Sequence, residues 1–234
     1  MNSKHKPLLF IALVFISLLL FYTAYDKETK TLVPQNLIDV VLFNDFDKSL
    51  SELNKVSALA AIGLISVAFI LGPLSRMFPK TFAKILWWRK TVGLSGFAFA
   101  LLHSIYAIAI IYQLDLDKML FSNPKALGFV SGLIALLILF LMSITSTAEA
   151  VKKMGYKKWK MLQRTGYIAL FLAIIHFIVL EIKPEKGFDV RPYGTLFLFI
   201  ALIALILRIL IIFLKLPEKK TFEEHAGKSS ETGA

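Results

Sequence analysis

The 234-residue chain contains no cysteine. That absence excludes a disulfide framework, a thiolate nucleophile and any Cys-ligated iron–sulfur or zinc centre. Covalent attachment of a c-type haem, which needs C-x-x-C-H, is excluded with them. The chain also lacks a P-loop and a G-x-G-x-x-G run, so a nucleotide serving it would be held by another polypeptide. The interiors of its long apolar stretches contain no Asp or Glu, which removes the carboxylates that a proton relay normally uses.

What the chain does have is apolar length. It is 57% hydrophobic, with 20 Phe and a mean hydropathy of +0.69, against roughly 45–50% apolar residues in a soluble domain. The excess is gathered into six blocks, about 8–25, 56–75, 91–113, 126–147, 161–182 and 192–215. Each approaches or exceeds the roughly 20 apolar residues that cross a bilayer. The expected fold is therefore all-α, a polytopic bundle of six transmembrane helices. The first block follows Lys4, His5 and Lys6, as a secretory signal would. Its run is longer than a usual signal core, and Tyr22 stands where a small residue should close it; it reads as a retained helix.

The formal charge of +11 reflects topology. With the N-terminus inside, the inner segments hold 18 of the 27 cations, and the outer loops hold 11 of the 16 acids. The positive-inside rule then puts both termini in the cytoplasm. The cations are matched to membrane lipids, the anionic ones included, and give no indication of nucleic acid. Trp87 and Trp88, beside Arg89 and Lys90, fit an interfacial anchor. In the longest loop, 26–55, the cluster "LIDVVLF" at 37–43 reads as an interfacial or re-entrant piece, or one packed on the helix ends. The polar tail 216–234 reads as a disordered cytoplasmic segment. Glycines in and at the ends of the spans fit close helix packing.

Of the four histidines, His5 and His225 lie in the termini, whereas His103 and His176 lie inside spans three and five. At about 1.5 Å per residue, His103 is roughly 20 Å beyond Lys90, and His176 roughly 18–24 Å beyond Arg164 and Lys160. Two imidazoles at one depth on parallel helices make a functional hypothesis by default. The competing reading is structural hydrogen bonding or a metal site. Zinc would want further ligands, whereas a bis-imidazole clamp on haem iron needs only these two.

The run "RKTVGLSGFAFALLHSIYA" resembles span three of the ferric reductase-like transmembrane domain family. Within that family it resembles the MsrQ (YedZ-like) haem-binding membrane subunits, in the pattern basic-basic-x-x-G-L…F…L-H…Y. "SITSTAEAVKKMGYKKWKMLQRTGYIALFLAIIHF" is similar to the family's T-S…L-G-x-x-W-x-x-L-H-x-x-x-Y…H stretch, and "ISVAFILGPLSRM" to its segment ending in T-P-L. The likeness covers about 56–182, which implies three parts: 1–55 with the first helix and outer loop, 56–215 as the haem-binding domain, and the tail. It implies haem b held by His103 and His176. The family's further histidine is replaced by Gln163, so one haem is expected rather than two. Tyr106 and Ser104 lie where they could orient an imidazole. Trp159, Arg164 and Tyr167 lie at the cytoplasmic entrance, where a quinone or flavin (FMN) edge could dock. Arg208 in span six can snorkel inward.

The expected function is electron transfer across the cell (inner) membrane, by a subunit rather than a complete enzyme. Electrons would come from a cytoplasmic-side flavin or quinol and leave to an outer-face acceptor. Similarity to MsrQ subunits implies a periplasmic methionine-sulfoxide reductase as that acceptor. Ferric-reductase-like delivery to Fe(III) is the alternative. A non-redox membrane protein with structural or metal-binding histidines is the alternative of another class.

Overall fold

Lipid offers backbone groups no hydrogen-bonding partners, so each spanning segment must satisfy its own as a helix. The computed structural model of the chain describes residues 6–26, 29, 31–183, 187–188 and 192–214. Its helices are α1 (Lys6–Ala24), α2 (Pro34–Val41), α3 (Phe46–Met77), α4 (Pro79–Phe82), α5 (Trp88–Tyr106), α6 (Ala126–Ile144), α7 (Ala148–Met154), α8 (Tyr156–Glu181) and α9 (Pro192–Phe213). A π-helical turn, Ala107–Ile111, extends α5. Six helices, α1, α3, α5, α6, α8 and α9, are long and apolar enough to cross a membrane. Among the described residues the only strands are β1 (Ile182–Lys183) and β2 (Gly187–Phe188), a two-residue antiparallel pair. The chain is an all-α, multi-pass membrane bundle. His5, His225 and the tail expected to be disordered lie outside the described residues.

One boundary differs from the sequence reading. Residues 46–55, read as loop, form the first turns of α3. Asp45 starts the helix by accepting the Lys48 backbone N–H at 3.0 Å, and Asp47 complements the positive end of the helix dipole. Hydropathy registers only the apolar part of a 32-residue helix, which at about 1.5 Å per residue is longer than a bilayer core. The 37–43 cluster packs on the helix ends. In α2, Val40 is buried against α1 and α3, while Ile38, Val41, Leu42 and Phe43 are exposed. Asp39 accepts from Asn44 Nδ2 and Gln35 Nε2, both at 2.9 Å, and these donors hold its carboxyl below the usual range.

The helix α3 is the centre of the bundle. It packs against α1, α5 and α9, while α6 pairs with α8. Apolar burial gives little drive when the solvent is lipid, so close contact rests on small residues and dispersion. Ala169, Ala201 and Ala204 are fully buried within a core that includes Ile62, Ile65, Phe69 and Leu170. Pro73 interrupts α3 without leaving a bare carbonyl. Its ring nitrogen cannot donate to Phe69 O four residues back, and Tyr167 Oη of α8 donates to that oxygen at 3.1 Å. This bond ties α8 to the centre of the bundle.

Candidate functional site

Helices α5 and α8 do not pack tightly against each other. What meets across the gap between them is a pair of imidazoles. The rings of His103 and His176 have centroids 6.1 Å apart and planes at 78°, so they are not stacked. Each ring is fixed through Nδ1. His103 Nδ1 is 2.9 Å from Asn54 Oδ1 of α3, and His176 Nδ1 is 2.8 Å from the Gly128 carbonyl of α6. A carbonyl only accepts, so His176 carries its proton on Nδ1; the Asn54 oxygen sets the same tautomer on His103. Both Nε2 atoms therefore keep a lone pair. Neither has a hydrogen-bond partner among the described residues, and neither is sealed away from accessible space.

This is how a metal-ligating histidine is held. One ring nitrogen donates to a carbonyl or amide oxygen, which orients the ring and raises the basicity of the other nitrogen. The spacing suits a metal as well. With a metal–nitrogen bond of roughly 2 Å and a ring centroid about 1.2 Å behind the nitrogen, collinear imidazoles have centroids about 6.4 Å apart. Among the described residues no third His, Cys, Asp or Glu joins them. The pair does not make a structural zinc site, which needs four ligands. It does fit a cofactor that brings its own equatorial ligands, as a porphyrin does. Between α5 and α6, Phe97, Leu101, Leu133, Leu136, Leu137 and Phe140 line an apolar cleft of about 170 Å³ that neither histidine lines. Its chemistry suits a flat apolar ring system.

Gly132 allows the imidazole of His176 its position. A Cβ at residue 132 would stand 2.8 Å from His176 Cε1 and 3.0 Å from Cγ, inside any tolerable contact. The Gly128 carbonyl that accepts from His176 also accepts from Ser131 Oγ at 2.9 Å.

The other residues singled out in the sequence fall elsewhere. Tyr106 and Ser104 are half-buried beside His103, and their side chains make no hydrogen bond among the described residues. Gln163 is thirteen residues before His176 on the same helix, about 20 Å along its axis. Its amide points to Met142 O at 3.4 Å. Arg164 is exposed. Trp159 Nε1 donates to Thr145 O at 3.0 Å, joining the start of α8 to the end of α6. Tyr167 bonds Phe69 O as described, and the Arg208 guanidinium lies over its ring, 5.1 Å from the centroid. Sequence reasoning missed Asn54, which it placed in a loop. It read Gly128 and Gly132 as packing only. The period of α3, extended upstream from its apolar part, was the one signal that could have brought Asn54 into view.

The described residues form a six-helix membrane bundle in which two histidines stand side by side, each ring oriented through Nδ1. The chain belongs to the ferric reductase like transmembrane component family, whose pattern matches residues 57–174. It is 27% identical over 157 residues to the protein-methionine-sulfoxide reductase heme-binding subunit MsrQ of Caulobacter vibrioides, covering 66% of this chain and 70% of that one. The corresponding subunit of Pasteurella multocida is 31% identical over 131 residues, 55% of this chain and 61% of that one. Magnetosome protein MamZ of Magnetospirillum gryphiswaldense is 35% identical over 106 residues, 45% of this chain. That match spans only 16% of the length of MamZ.

Proposed function

We propose that this chain is an integral haem b protein of the cell (inner) membrane that passes single electrons across the bilayer, as a subunit of a larger electron-transfer system. The observation that carries the reading is the pair of oriented imidazoles, with centroids 6.1 Å apart, whose Nε2 lone pairs have no hydrogen-bond partner among the described residues. A purely structural pair would have no use for them. The names of the MsrQ relatives, which describe heme-binding subunits, agree with it. Haem, when bound, supplies a one-electron iron couple.

The protein's own groups do the rest. His103 and His176 ligate through Nε2. Asn54 Oδ1 and Gly128 O hold the tautomer and ring orientation, and the apolar side chains of the surrounding helices keep the local dielectric low. Residues 56–215 form the haem-binding domain, preceded by the first helix and outer loop. One haem is proposed, because Gln163 and Arg89 stand where a second pair of ligands would be needed. The Gln163 amide is turned to Met142 O, and a guanidinium does not ligate iron. The distribution of cations supports both termini being cytoplasmic. Electrons then enter at the basic end from reduced flavin (FMN) or quinol and leave at the opposite face. The kinship with MsrQ favours a methionine-sulfoxide reductase as acceptor, ahead of Fe(III).

The test uses the full chain in vesicles, with a quinol supplied to the lipid and impermeant ferricyanide on the face away from the basic loops. The expected result is ferricyanide reduction that depends on the protein and is lost in His103→Ala and His176→Ala. Reduction no faster than in protein-free vesicles would overturn the proposal.

A further inference from the structure

At the basic end of the bundle the structure gathers positive charge that the electron-transfer reading does not use. Arg89 of α5 lies with its Cζ 5.8 Å from the Phe69 ring centroid, and Arg208 of α9 with its Cζ 5.1 Å from that of Tyr167. The two rings are themselves 4.7 Å apart at 52°. The guanidiniums thus sit on one aromatic pair contributed by α3 and α8. A Cβ at Gly72 would meet Arg89 Nη1 at 3.5 Å, an ordinary contact, so that guanidinium lies close along α3. Arg76 of α3 and Arg164 of α8 are near enough to act electrostatically on Arg208.

Among the described residues, no carboxylate acts on Arg89 or Arg208. The charges around Arg208 are the other three arginines and the Tyr167 phenol. Neither the Arg89 nor the Arg208 guanidinium donates a hydrogen bond among the described residues. A guanidinium carries five N–H donors, and both of these side chains are half-buried. Within a membrane bundle, charges are paired or they mark a binding site. A guanidinium lying over an aromatic ring still has N–H donors directed away from it, and these match the oxygens of a phosphate group. Arg89 stands in the first turn of α5, at the end of the basic segment 76–90, at the level where lipid headgroups lie and where basic pockets between helices take phosphate-bearing lipids.

We propose that Arg89 and Arg208, supported by Arg76 and Arg164, bind a phosphate group at this end of the bundle. The phosphate is supplied either by an anionic phospholipid or by a soluble phosphate compound from the same side. The proposal is independent of haem, because none of these residues touches the histidine pair.

The experiment measures thermal stability of the full chain in nanodiscs of phosphatidylcholine. One arm adds phosphatidylglycerol to the bilayer. The other adds inorganic phosphate at constant ionic strength, with chloride as control. The expected result is a rise in Tm in at least one arm: the first alone identifies a lipid, the second a soluble phosphate. Arg208→Gln weakens the response at least about tenfold in the ligand concentration needed; Arg208→Lys keeps part of it, and Lys84→Gln, on the exposed basic segment, leaves it unchanged. Arg89→Gln repeats the loss if it folds, and Arg208→Gln carries the test if it does not. No response in either arm, or an equal loss in Lys84→Gln, would overturn the proposal by reducing the effect to general charge.

Discussion

Asn54 gives the sharpest access to the histidine pair, because it touches the site without being a ligand. Its side chain is 8% exposed, and its Oδ1 is 2.9 Å from His103 Nδ1. Asn54→Leu keeps the branched shape at Cγ, with a larger volume, and removes the acceptor. A buried donor left unmatched costs about 1–3 kcal/mol, which is roughly 5- to 150-fold in an equilibrium constant. Loss of a partner of this kind typically weakens metal binding roughly 10- to 100-fold. Haem affinity of the variant, measured by absorbance titration of haem into apo-protein, should therefore fall by one to two orders of magnitude. The hydrogen bond also lends electron density to Nε2, which favours oxidised iron. The midpoint potential should rise in Asn54→Leu and fall in Asn54→Asp, where a carboxylate accepts more strongly. An Asn54→Leu protein with wild-type affinity and an unchanged potential would refute the role assigned to this bond.

His103→Ala and His176→Ala should each abolish bound haem on purification, while Gln163→Ala retains most of it; substantial haem loss in Gln163→Ala would mean that the amide takes part in ligation. Gly132→Val drives a branched side chain into the His176 ring, an overpacking of about 1–3 kcal/mol, and should lower haem content; Gly93→Ala, whose Cβ would meet only Ala68 Cβ at 3.5 Å, should not. Tyr167→Phe strips the donor from Phe69 O and should destabilise the fold by about 1–3 kcal/mol in thermal melts. Adding Pro73→Ala should recover part of that loss, because the restored N–H can reach the same carbonyl; a strictly additive double mutant would contradict the coupling.

Much of this was legible in the residues. Membrane-length apolar runs dictate helices, because lipid leaves the backbone no other choice, and five of the six were read at nearly their observed positions, α3 being the one whose polar start was missed. His103 and His176 stood out for a similar reason: an imidazole in an apolar run needs a partner. Depth counted from flanking cations placed the two at one level, and the rings lie 6.1 Å apart. What the sequence hid were partners that depend on how helices are rotated against each other. Asn54 looked like a loop residue, because the first turns of α3 are polar and carry no hydropathy signal. Gly128 acts through its carbonyl, which residue type does not reveal. The clustering of Arg89 and Arg208 on Phe69 and Tyr167 joins four helices. Only Pro73, four residues after Phe69, hinted that a side chain from another helix would be needed there.

The central claim is that His103 and His176 hold one haem between them. It is tested most directly by the reduced and oxidised absorption spectra of the full-length protein, purified from cells supplied with haem, together with its haem-to-protein ratio. The account predicts a low-spin, six-coordinate b-type spectrum that is reversibly reducible, at one haem per chain. A protein that emerges free of haem, or one that carries it unchanged when both histidines are replaced, would contradict it.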